Sequence, residues 1–222
     1  QVVARDGQPL GGISALCCTP SECVMGDTND QGRYLFANLS IEPRKVLLVD
    51  PAEELLDGLF YQDVIVDQTS TLSRPAMMHP RAGGPVAWTG GTVVLADGSL
   101  ELTAAEGSVE YGRGIAPEIT ARRIDIEDLP PLGPEPWRDA MDGGLAYLIA
   151  PIGIHATEPI QLRVLSGHGA APGSAFAVWA VNGKLATASR AGTATVTGDN
   201  VLTLAPDAEL VDLGALVLVP ER

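Results

Sequence analysis

Aromatic residues are scarce. Phe, Trp and Tyr together make up 5% of the 222 residues, so a sheet face paved with exposed rings, as carbohydrate binding would want, has little to draw on. Basic side chains are thin too: 14 Lys and Arg stand against 28 Asp and Glu, for a net charge of −14. No Lys/Arg stripe relieves that balance, so nucleic acid is excluded as a partner and anionic membrane surfaces are disfavoured. The acidic excess reads first as a solubility device and second as a cation binder. No apolar run approaches the ~20 residues of a membrane-spanning helix; the longest, such as Gly214–Val219, are strand-sized. The sequence opens at Gln1 directly in strand-like residues, as expected of a mature secreted protein or a piece of a longer chain.

Catalytic signatures are missing as well. There is no Gly-x-Ser-x-Gly elbow and no His-Glu-x-x-His. The three histidines, His79, His155 and His168, have no ligand spacing among themselves. His168 is expected to be an exposed loop residue, and His155 to lie in a strand or at a loop edge. Neither is expected to be a base. Ser166 and Ser174 sit in turn-rich sequence. The acid pairs Glu53–Glu54, Asp125 with Glu127, and Asp139 with Asp142 read as solvated faces, not as a glycosidase pair. The expectation is a protein that is not an enzyme.

Only three cysteines occur, Cys17, Cys18 and Cys23, all in one window. A zinc site would want a fourth ligand. One disulfide that includes Cys23, with either Cys17 or Cys18 as its partner, is the expected use, and it implies an oxidising compartment.

What the chain does have is Val, Leu, Ala, Thr and Gly in a strand-and-turn rhythm. Hydrophobic residues reach 45%, and 25 Gly with 17 Pro break the chain every 8 to 12 residues or so, the spacing of an all-β sandwich. The organising stretch is Asp27–Leu39. Its turn-formers and Gly32 run into an alternating segment, Arg33–Ala37, in which Tyr34 and Phe36 share a face. Further strands are expected at Val2–Ala4, Ile13–Cys18, Cys23–Gly26, Lys45–Asp50, Tyr61–Asp67 and Ser70–Leu72. Pro51–Asp57 is either a helical turn or a loop. Ser73–Trp88 lacks periodicity and reads as a linker, with Met77 and Met78 either plugging a gap between domains or, as preferred, serving as simple loop residues.

Asp27, Asn29 and Asp30, with Gly32 behind them, also resemble half of a calcium loop. The later bidentate Glu is missing, because the next acid is Glu42. An ordinary turn with no cofactor is therefore preferred over a calcium site.

The series Val3, Asp6-Gly7, Pro9-Leu10, Gly12-Ile13, Thr28, Gly32, Tyr34, Phe36, Leu39 and Val46–Val49 resembles the carboxypeptidase regulatory-like domain. That resemblance implies a transthyretin-like sandwich with no catalysis of its own, used as an accessory or stalk module in secreted enzymes and bacterial surface proteins. It covers about a third of the chain, and the Thr28-to-Phe36 run is its most specific part. The chain departs from the family at Pro43-Arg-Lys45.

Beyond the linker, Thr92–Ala96 and Ser99–Thr103 flank Asp97-Gly98, a strong hairpin signal. Strands follow at Ser108–Tyr111, Glu118–Ile126, Leu145–Ala150, Ile160–Leu165, Ala175–Val181, Leu185–Ser189, Thr193–Thr197, Val201–Leu204 and Ala215–Val219. The prolines between Asp128 and Trp137 favour an extended surface crossing. Trp179 is expected in the core; Trp137 is either an exposed stacking ring or a pin on a loop. Pro151-Ile-Gly153, Glu158–Leu162 and Ala170–Gly173 ahead of Phe176–Trp179 resemble ZU5-like sandwiches of bacterial surface proteins, which suggests architecture but no site.

The expected organisation is all-β: two consecutive β-sandwich domains, transthyretin-like over 1–80 and Ig-like or ZU5-like over 91–222, with a linker at 81–90. The expected role is a non-catalytic structural or assembly module of an extracellular or cell-envelope bacterial protein. Its partners are further copies or other surface proteins, met through strand edges or through the strand-like ends Gln1–Ala4 and Ala215–Val219, unless both ends pair within their own domains as most terminal strands do. A carbohydrate- or protein-ligand-binding accessory module is the alternative, and a secreted hydrolase is third.

Overall fold

The computed structural model describes every residue except 20, 41, 43, 63, 65–67, 70, 72–73, 130–134, 136, 139–140, 184–185 and 222; the side chain of Gln62 is also left aside. The outer half of the expected 61–67 strand, the 70–72 strand, Leu185, Asp139 and most of the proline-rich crossing thus lie outside the described residues. The fold is all-β. Among the described residues there is no α-helix, only a 3-10 turn at Ile126–Asp128. The chain divides into two compact units.

The first unit holds Gln1–Arg81, with short later segments around Leu129 and Ala186. Its strands are β1 (Val2–Val3), β2 (Ser14–Cys18), β3 (Cys23–Asp27), β4 (Arg44–Val49), β5 (Gly58–Gln62) and β6 (Ala76–Met77). The middle four make one antiparallel sheet in the order β3-β2-β4-β5. β1 and β6 pair in parallel. Period-2 patterning explains the sheet: in β4, Val46 and Leu48 are buried while Leu47 and Val49 on the opposite face are half-buried. Val2, Ile13, Ala15, Cys17, Val46, Leu48, Phe60 and Met78 form the core, and Tyr34 and Phe36 pack against it.

Two expectations change here, and one open alternative is decided. Arg33–Ala37 keeps its alternation, with Tyr34 and Phe36 half-buried and Arg33, Leu35 and Ala37 exposed, but it joins no ladder. Pro51–Asp57 is a loop, not a helical turn. The buried Asp50 carboxylate accepts the backbone N–H groups of Ala52, Glu54 and Leu55 at 3.0, 2.9 and 3.0 Å, so the chain turns around that side chain. Met78, one residue past β6, is 1% exposed and part of the first unit's core, not a surface loop residue.

The second unit takes most of the chain from Ala82 onward. Its early strands are β7 (Val86–Ala87), β8 (Gly91–Leu95), β9 (Leu100–Ala104), β10 (Val109–Glu110) and β11 (Glu118–Ile124). Next come β12 (Leu145–Ala150), β13 (Ile154–Ala156), β14 (Gln161–Val164) and β15 (Ala175–Asn182). β16 (Thr187–Val196), β17 (Leu202–Leu204), β18 (Asp212–Leu213) and β19 (Ala215–Pro220) complete it. Ten of these form one sheet in the order β7-β11-β12-β19-β15-β16-β17-β14-β9-β8. It curls until β8 comes back against β11, enclosing a single core that includes Leu102, Ile119, Tyr147, Leu162, Phe176, Val178 and Leu218. β10, β13 and β18 make a small separate sheet.

The Asp97-Gly98 hairpin forms as expected: β8 and β9 pair with Leu95 opposite Leu100. Where strands are expected at 185–189 and 193–197, one continuous β16 runs over Thr187–Val196, passing through Gly192 without a break. Ile126 and Trp137, at either side of the proline-rich segment, are buried.

Both strand-like ends are paired within the chain. β1 lies beside β6, and β19 is sandwiched between β12 and β15. Of the two readings of the ends, open strands or strands paired within their own domains, the second holds. Their apolar residues are buried in the two cores.

Candidate functional site

The feature of the first unit that asks for a function is the β2–β3 hairpin. Cys18 stands directly opposite Cys23, and the two form a disulfide. The sequence left Cys17 and Cys18 as alternative partners for Cys23; strand parity decides between them. Adjacent residues of a strand face opposite ways, so Cys17 points into the core, 2% exposed, and only Cys18 shares a face with Cys23. Cys17 is a free thiol, and burial pushes its pKa up.

At the turn, the Thr19 N–H donates to the Glu22 carbonyl at 2.8 Å. Behind it, the guanidinium of Arg44, at the start of β4, has a side chain with 0% exposure. It donates to Glu22 Oε1 at 2.5 Å, to Ser40 Oγ at 2.6 Å and to the Cys17 carbonyl at 3.4 Å. The hydrogen bond from Arg44, reinforced by its charge, holds the Glu22 carboxyl below the usual range. Disulfide and guanidinium together fix the hairpin end from both faces of the sheet.

β3, held in this way, has only one neighbour, β2, among the described residues. Because Thr19 and Glu22 are a hydrogen-bonded pair, Cys17 and Val24 are the next such pair, then Ala15 and Gly26. The N–H and C=O groups of Cys23, Met25 and Asp27 consequently point outward, away from β2. The side chains along this edge are apolar. Met25 is 74% exposed and Val24 37%. Met25 also ends a row that crosses the sheet on its outer face, Met25–Leu16–Leu47–Leu59. Val24 ends the matching core-face row through Cys17, Val46 and Phe60.

The calcium candidates lie where β3 ends. Asp27 accepts a hydrogen bond from Ser14 Oγ at 2.9 Å. The Asn29 side-chain oxygen accepts the backbone N–H groups of Gln31 and Arg33, both at 3.0 Å. Asp30 is exposed. The loop is thus held by Asn29 bonding to its own backbone. Among the described residues, no three His, Cys, Asp or Glu side chains gather to hold a metal.

In the second unit, His155 Nδ1 lies 3.0 Å from Asp212 Oδ1, and Asn182 donates to the other carboxylate oxygen at 2.9 Å. Among the described residues, no hydroxyl or thiol hydrogen-bonds to the other ring nitrogen. His168 is not exposed as expected but 6% exposed. Its Nε2 meets the Asn200 carbonyl at 2.9 Å, and its Nδ1 accepts the Ala170 N–H at 3.3 Å, so the ring clamps two loops. Among the described residues, no hydrogen bond joins Ser166 or Ser174 to either histidine. Trp137 is a buried pin, its ring centroid 6.0 Å from that of Trp179. Trp179 itself is half-buried on the face opposite Phe176 and Val178, outside the core in which it was expected.

Sequence reasoning missed Arg44 and the exposure of β3. The first had a signal: Arg44 stands two and four residues before Val46 and Leu48, on the buried face of β4. Set against known proteins, the chain matches no family model, no curated protein and no solved structure.

Proposed function

We propose that the chain is a non-catalytic structural or assembly module of an extracellular or cell-surface bacterial protein, and that it associates through a strand edge. One observation carries this reading: β3 is a braced edge strand whose outer backbone groups face away from its one neighbour and whose Val24 and Met25 side chains are exposed. Edge strands on monomers are usually blunted by Lys, Pro or a bulge. β3 carries none of these over Cys23–Asp27, and its single charge, Asp27, stands at the far end. An added strand gains main-chain hydrogen bonds along its length, while apolar side chains set its register. The disulfide suits the oxidising compartment that the reading requires. The resemblance to carboxypeptidase regulatory-like and ZU5-like modules points to the same setting.

The test is sedimentation of the full chain over a wide range of concentration. Wild type is expected to sediment as a species larger than the monomer at high concentration, and Met25→Lys to remain monomeric with an unchanged melting temperature. A wild-type chain that stays monomeric at every concentration and salt would overturn the reading.

A further inference from the structure

We infer that the occupant of the β3 edge is a second copy of this chain, paired antiparallel about a two-fold axis at Met25. The inference rests on the assembly reading above and adds the partner and the register.

Three features make the edge complementary to itself. The first is backbone phase. On β3 the residues whose N–H and C=O groups face outward are Cys23, Met25 and Asp27, and a two-fold axis at the middle one pairs all five residues of the strand with the same five of the other copy. An axis at Met25 uses the whole strand and forms about six main-chain hydrogen bonds.

The second is charge. With the axis at Met25, Asp27 of one copy faces Cys23 of the other, an uncharged disulfide sulfur. An axis at Asp27 would instead set carboxylate against carboxylate, which is unfavourable for directly opposed strand residues. An axis at Cys23 would leave most of the strand unpaired. The net charge of −14 opposes careless contact between copies. The Met25 register pairs all five residues of β3 without setting its one acid against another.

The third is shape. On the core-side face, Val24 of one copy falls opposite Gly26 of the other, so the bulky residue meets one with no side chain. On the outer face Met25 meets Met25, and the row Met25–Leu16–Leu47–Leu59 runs on unbroken into the second copy. Two four-stranded sheets become one of eight. The contact is small, so association is concentration-dependent and not permanent.

Cysteine cross-linking in the full chain tests the register. In a hydrogen-bonded antiparallel pair the Cα atoms lie about 5.5 Å apart, within disulfide reach. Met25→Cys should therefore give a disulfide-linked dimer under mild oxidation, with mass spectrometry locating the bridge between the two substituted positions. Val24→Cys places its two sulfurs two residues out of register, about 8 Å apart at Cα, and should give roughly tenfold less dimer. A wild-type dimer in which Met25→Cys does not cross-link would overturn this register and leave the assembly reading standing. Efficient cross-linking at Val24→Cys would do the same. A chain monomeric at every concentration would overturn both. A chain that remains monomeric while a synthetic alternating lysine–valine peptide protects its β3 amides would assign the edge to a different occupant, again overturning the inference.

Discussion

Gly32 stands directly against the carbonyl oxygen of Val2: a Cβ at position 32 would lie 2.2 Å from it. The same two residues are joined by a hydrogen bond, Val2 N–H to Gly32 C=O, at 2.7 Å. Gly32 also adopts φ +66°, the left-handed region. Two separate demands, conformation and space, thus converge on one position. Gly32→Ala is expected to lower stability by about 2 kcal/mol or more, the left-handed penalty plus displacement of β1. Urea unfolding followed through the first unit checks this; a change within experimental error would show that β1 is not seated on this turn.

The Arg44–Glu22 pair predicts a pH dependence. The folded-state pKa of Glu22 is depressed, by the Arg44 hydrogen bond first. Its contribution is therefore present above the ordinary glutamate range, near pH ~4.3, and is lost as pH falls through the lower folded value. Wild type should lose stability below about pH 4 more steeply than Glu22→Gln, which lacks that titration. Arg44→Ala should lower stability at neutral pH, from the lost packing of a fully buried side chain and the lost bond to the Cys17 carbonyl; Glu22 and Ser40, both exposed, return to water. Parallel acid titrations of the two Glu22 forms would contradict the pairing.

The cysteines should behave unequally. Native-state alkylation is expected to leave Cys17 unmodified, and peptide mapping without reduction should return Cys18 joined to Cys23. Closing so small a loop contributes about 2 kcal/mol. Reduction should lower the melting temperature accordingly and increase amide exchange in β3. A Cys17–Cys23 peptide would refute the parity argument.

Calcium should not be needed. Asn29 Oδ1 already serves two backbone N–H groups, so Asn29→Ala is expected to destabilise the turn by about 1 kcal/mol. Adding a chelator should leave the melting temperature where it was. A clear drop on chelation, abolished in Asp27→Ala, would establish a cation at this loop.

Much of the fold was legible because period-2 alternation and turn chemistry act over a few residues. Leu145–Ala150 and the Asp97-Gly98 hairpin could be read from their own residues alone. Short strands such as β13 and β18 could not be. Two or three residues carry no period, and they become strands because Ile154 and Leu213 lie opposite each other across a long loop. The aromatic alternation of Tyr34 and Phe36 was visible, but ladder membership depends on a neighbour and not on the segment itself. For the candidate site, the cysteine window was visible and the choice of pair followed from parity. The open edge was not legible. Nothing in Cys23–Asp27 says that β2 is its only neighbour, since strand order belongs to the whole sheet. His168 was misjudged for a related reason: its hydrogen-bond partner, the Asn200 carbonyl, lies 32 residues away.

Amide hydrogen exchange of β3, measured by NMR as a function of protein concentration, tests most directly whether this strand pairs with another copy through its outer edge. Val24 and Gly26 already donate toward β2 and should exchange at a rate independent of concentration. Cys23, Met25 and Asp27 point outward and should become progressively protected as concentration rises, with Met25 protected most. If those three amides exchange as freely in concentrated solution as in dilute, while the chain is seen to associate, the β3 edge is not the contact.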